Sequence, residues 1–114
     1  MDNIVLNEIL LSKVVVNNQK IINSEWKVEG LSLLKLRDIL VIKGKVLFED
    51  LDQQVYVAAI RGGWLRFNTS FAAFHLCNEK LQIAVISDEG VFKQHTSEGV
   101  LNELKESLGK YIKE

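Results

Sequence analysis

The sequence predicts an α+β domain, mainly β: a bent antiparallel sheet or small open barrel of about six or seven strands, with a C-terminal helix packed on it. Three observations predict this. Apolar and polar residues alternate through much of residues 4–95, the period of a strand with one buried face. Near Thr96 the period lengthens, and Val100, Leu101, Leu104, Leu108, Tyr111 and Ile112 recur at helical spacing. Between the apolar runs stand turn-forming clusters such as Asn17-Asn18 and Asn78-Glu79-Lys80.

Taken in order, residues 4–16 are rich in branched side chains and favour a strand near Val14, Val15 and Val16, although Asp2 is also placed to cap a short helix over residues 3–11. Asn17-Asn18 turns the chain into the clearest strand, residues 21–29. There Ile22, Ser24, Trp26 and Val28 share the core face, and Asn23, Glu25, Lys27 and Glu29 share the wet one.

Residues 31–49 read as extended, with Leu40, Ile42, Gly44, Val46 and Phe48 on one face and a bulge or bend at Gly44. A polar turn at 49–53 leads to a strand at 55–60, and Gly62-Gly63 breaks it before Trp64-Leu65-Arg66-Phe67. Strands at 71–77 and 81–87 form a hairpin, and a short piece at 91–93 precedes the helix at 97–113. Thr96 or Ser97 caps that helix, with Glu98 near its start and Lys110 and Lys113 near its end.

A chain of 114 residues with 47% hydrophobic and 25% charged residues predicts one domain over 1–114 with a single core. With 14 basic and 15 acidic residues the net charge is −1, so no overall field draws in nucleic acid or an anionic membrane. The single cysteine, Cys77, has no internal partner for a disulfide, which points to a reducing, cytoplasmic setting. The opening residues lack a basic start and an unbroken apolar stretch, so they do not read as a secretion signal, and no run approaches the roughly 20 apolar residues of a spanning helix. The chain has no proline, one common guard of sheet edges; Lys43, Lys45 and Glu49 are placed to serve instead.

For chemistry the residues offer little. His75 and Cys77 share a strand face and His95 follows, but no paired motif supplies the four ligands of structural zinc, and a Cys–His pair lacks a third, orienting group. The carboxylates near residues 49–52 and 88–89 read as solvated turns, without the offsets of a calcium loop. No catalytic, cofactor or metal residue is assigned. The stretch Arg61-Gly62-Gly63-Trp64-Leu65-Arg66-Phe67 joins flexible backbone, two guanidinium groups and two rings. Arg61, Trp64, Arg66 and Phe67 are therefore the candidate partner-binding residues. Stacked bases on Trp64 and phosphates on the arginines would make a single-strand site; the simpler reading is a tryptophan closing one end of the core beneath an arginine.

Residues 38–44 (DILVIKG) and 55–58 (VYVA) are similar to the core strands of the stage V sporulation protein G family of nucleic-acid-binding regulators, over a small part of the chain. Residues 64–87 would be an insertion there, and no residue role is carried over. In element order the chain resembles pleckstrin-homology-like domains, without the tryptophan that those often carry in the last helix.

The expected function is that of a small non-enzymatic binding or assembly domain. It engages a protein partner, or a second copy as a homodimer, through a sheet edge or an apolar surface. The alternatives are a single-stranded nucleic-acid module using residues 61–67 and a barrel holding an apolar ligand. A flatter sheet with one helix on one face, completed by dimerisation, is the alternative architecture.

Overall fold

The computed structural model describes residues 1–16, 20–61, 69–88 and 96–113. Eight elements follow one another: α1 (Asn3–Lys13), β1 (Ile22–Lys27), α2 (Leu33–Lys43), β2 (Gly44–Asp50), β3 (Val55–Ile60), β4 (Thr69–Cys77), β5 (Lys80–Asp88) and α3 (Thr96–Ser107). The fold is α+β and mainly β, with an antiparallel sheet and a C-terminal helix. Among the described residues the sheet is open, not a barrel, and has five strands in the order β1-β5-β4-β3-β2 instead of six or seven. β2 to β5 form a meander, and the connection from β1 to β2 crosses the whole sheet.

Helices cover both faces. On one, α2 and α3 enclose Tyr56, Ala58, Ala72, Phe74, Ile83 and Val85. On the other, Leu6 and Leu10 of α1 press onto Val57, Ala73, Ala84 and Ile86. Ala73 and Ala84 are register partners, and two such short side chains make a flat seat on which a helix approaches the backbone closely. Double-sided burial also explains why β3 and β5 read as nearly unbroken apolar runs, where alternation would mark a half-solvated strand.

The two extra helices are the main departure from the sequence reading. Residues 33–43 are helical, not extended. Ser32 caps the start by accepting the Lys35 N–H at 3.1 Å, and Leu33, Leu36, Ile39 and Leu40 turn inward. The run Ile39-Leu40-Val41-Ile42 has strand-like composition, but packing on the sheet overrides that preference. This also removes the likeness of residues 38–44 to a core strand of the sporulation regulators. The pleckstrin-like layout is replaced as well, since α1 and α2 precede β2 and lie on opposite faces. At the N-terminus the helix reading prevails: Asp2 Oδ1 accepts the Val5 N–H at 2.9 Å, and Val14 to Val16 form no strand. The expected strands at 64–67 and 91–93 lie outside the described residues.

Gly44 is not a bulge. It ends α2 and starts β2, and a Cβ there would run into the Ala59 carbonyl of the neighbouring strand. The bulge lies at Leu47, where the β2–β3 register shifts between Val46 and Phe48. The extra residue sends Val46 to the α2 face and Phe48 to the α1 face, although simple alternation assigns them to one side. Asn78 and Glu79 close the β4–β5 hairpin with φ values of 53° and 59°, the left-handed conformation of a two-residue turn.

α3 is shorter than the expected 97–113. It ends at Ser107 with Val100, Leu104 and Leu108 buried, and Tyr111 to Lys113 then run beside the start of the sheet. Lys113 donates its N–H to Lys27 O at 2.8 Å and Glu29 donates its own to Tyr111 O at 2.7 Å. The C-terminal segment thus lies along the outer side of the chain at the end of β1, where the Lys113 ammonium pairs with Glu29.

Candidate functional site

Among the described residues each face of the sheet carries a helix, so recognition falls to its perimeter and to the backs of its helices. Of the residues that the sequence proposed for binding, Arg61 is exposed at the end of β3, while Trp64, Arg66 and Phe67 lie outside the described residues. The Arg61 N–H bonds to Lys43 O at 2.9 Å, and pairing of Gly44 with Ile60 and of Lys45 with Ala59 continues from there. Arg61, distant in sequence, therefore meets Lys43 and Lys45 at the corner where α2 turns into β2. Sequence reading assigned Lys43 and Lys45 to edge protection and missed their meeting with Arg61, because the register that joins them is a tertiary property.

Aliphatic side chains share this corner. Val41 and Ile42 on the back of α2 are 48% and 74% exposed, and Leu47, displaced by the bulge, is 42% exposed at the rim of β2; Leu34, 72% exposed, stands at the other end of α2, beside the β1–α2 connection. Arg37 of α2 pairs with Glu49 of β2, which ties the helix alongside the strand and raises the Arg37 guanidinium further above its ordinary range through the hydrogen bond and charge of Glu49. α2 carries apolar residues on its inner and its outer side, unlike a helix whose outer side meets only water. On the other face, the Lys13 ammonium sits 4.2 Å from the centre of the Phe48 ring. Sequence reading missed Leu34, Val41 and Ile42 as surface residues, since a strand assignment divides them between faces differently.

The edges differ. β1 is followed by the segment that the C-terminal residues cover, whereas among the described residues no strand pairs with the outer side of β2. The bulge interrupts that outer side at Leu47, so a long uninterrupted ladder with an added strand is disfavoured there. Side-chain contact at the corner is the better use of this edge.

At the opposite end of the sheet an open cleft of about 460 Å³ lies between the β1–α2 connection and the β4–β5 turn, lined by Gly30, Leu31, Ser32, Gln54, Leu76 and Cys77. Cys77 is half-exposed there. His75 is engaged elsewhere: Gln82 Nε2 donates to Met1 O at 2.6 Å, which leaves Gln82 Oε1 to accept from His75 Nδ1 at 2.9 Å. His95 lies outside the described residues. Among the described residues, no helix is long and apolar enough to cross a membrane, and no group of three or more potential metal ligands occurs.

No protein-family model, curated protein or solved structure matches the chain.

Proposed function

We propose that this chain is a non-enzymatic binding or assembly domain that engages a protein partner through the corner formed by α2 and β2. The supporting observation is the exposure of Val41, Ile42 and Leu47 along one edge of a sheet both of whose faces carry a helix. An aliphatic surface of this kind, next to exposed cations, is the usual make-up of a protein contact with an apolar centre and a polar rim. Self-association through the same surface is the homodimer form of this reading. The single half-exposed thiol fits a reducing compartment such as the cytoplasm.

The test compares wild type with Ile42→Glu. Both are immobilised for capture from the native source and run in sedimentation velocity across a hundredfold concentration range. A partner, or a second copy, held by wild type and lost with Ile42→Glu supports the reading. Equal capture and equal oligomeric state for the two proteins would remove the surface from consideration.

A further inference from the structure

We infer that the partner docked at the α2–β2 corner presents an acidic, aliphatic segment, its carboxylates meeting Lys43, Lys45 and Arg61 and its apolar side chains meeting Val41, Ile42 and Leu47. This rests on the protein-binding reading and adds the partner's chemistry to it. Charge complementarity carries the inference. Two neighbouring strands and a helix end bring the three cations together at the rim, Lys45 on its α1 side and Val41 and Ile42 on its α2 side, and among the described residues none of the three has an ion pair or a side-chain hydrogen bond. By contrast, Arg37 faces Glu49, Lys80 faces Glu25 and Lys113 faces Glu29.

Clustered like charges on adjacent strands repel one another, and an incoming carboxylate relieves that repulsion as it pairs. Lys13, held over Phe48, adds a fourth positive charge on the α1 side of β2. The aliphatic neighbours then decide the class of partner. Val41, Ile42 and Leu47 offer no π-face for a base, and the nearby Phe48 ring is half-buried beneath Lys13. An acidic peptide with leucine-like side chains satisfies both halves of the surface, and a nucleic acid only one.

The probe is a synthetic peptide of alternating glutamate and leucine, titrated into ¹⁵N-labelled protein and followed by amide shifts. Its glutamine-for-glutamate counterpart and a labelled single-stranded oligonucleotide run in parallel. The acidic peptide is expected to shift residues 41–47 and 61 with saturation, and the glutamine peptide to bind about tenfold more weakly, as two or three exposed charge pairs allow. The combined Lys43→Gln, Lys45→Gln, Arg61→Gln variant, which changes only side chains that make no ion pair or side-chain hydrogen bond among the described residues, is expected to bind the two peptides equally. Absence of saturable shifts, shifts at other residues, equal affinity of the two peptides for wild type, or tighter binding of the oligonucleotide would each overturn the inference. The protein-binding reading is judged separately: a captured partner that is lost with Ile42→Glu but retained by the triple glutamine variant leaves that reading standing and sinks the acidic partner.

Discussion

The side-chain amides of Asn7 and Asn23 bind each other twice: Asn7 Nδ2 donates to Asn23 Oδ1 at 3.2 Å, and Asn23 Nδ2 donates to Asn7 Oδ1 at 2.8 Å. The same Asn23 amide reaches Ile83 O at 3.5 Å, so one edge residue links α1, β1 and β5. The pair is partly buried, and removal of one partner leaves the other without its match. Asn7→Ala and Asn23→Ala are each expected to cost about 1 kcal/mol, with the double variant costing clearly less than the sum. Urea denaturation of the four proteins checks this, and strict additivity would show that the two amides act independently.

Gly44→Ala is expected to destabilise the fold by about 3 kcal/mol, because the added methyl group meets the carbonyl of Ala59 in backbone that cannot give way without breaking β2–β3 pairing. Denaturation with guanidinium measures the loss. A cost below about 0.5 kcal/mol would mean that the two strands separate more easily than their register implies.

Three buried hydroxyls join β4, β5 and α3: Ser70 Oγ lies 2.9 Å from Ser87 Oγ, which lies 2.8 Å from Ser97 Oγ. Ser87 is the middle link, and Ser87→Ala takes away a partner from both neighbours at once. The expected cost is about 1–3 kcal/mol, together with faster amide exchange in the first turn of α3. Unchanged exchange there would show that apolar packing alone positions the helix.

Tyr56 donates its hydroxyl to Leu33 O at 3.1 Å, and burial, with a smaller contribution from Glu49, raises its phenol above the ordinary value. The folded state therefore favours the neutral ring. Its contribution is complete below about pH 10 and is lost as the pH climbs through the raised value. Tyr56→Phe is expected to cost about 0.5–1.5 kcal/mol at neutral pH and to flatten the decline of stability above pH 10, as read by thermal melts at several pH values. A decline of the same steepness in both proteins would assign it to other groups.

What the sequence revealed, and what it did not, follows from the range of the forces involved. The β4–β5 hairpin and α3 were legible because their signals are local: a short turn between two apolar runs, and Val100, Leu104 and Leu108 at helical spacing. α2 was hidden because its exposed Val41 and Ile42 imitate a strand, while the signal that favours helix, Ser32 ahead of Leu33, Leu36 and Leu40, is easily outweighed. The higher strand count came from residues 14–16, which form no strand, and from the pieces expected at 64–67 and 91–93, which lie outside the described residues. The face of Phe48 was illegible for another reason, since one unpaired residue at Leu47 inverts every assignment beyond it. At the corner, Arg61 was nominated by its own neighbourhood, but Lys43 and Lys45 joined it only through strand register.

Because helices occupy both sides of the sheet, the groups that hold the molecule together and those left to meet something else are nearly disjoint sets. Random mutagenesis should therefore yield two separable classes of defective allele. Changes at Leu6, Leu10, Tyr56, Phe74, Leu104 or Leu108 should reduce the amount of protein in the cell, whereas changes at Ile42, Lys45 or Arg61 should leave abundance intact and abolish whatever phenotype the protein supports.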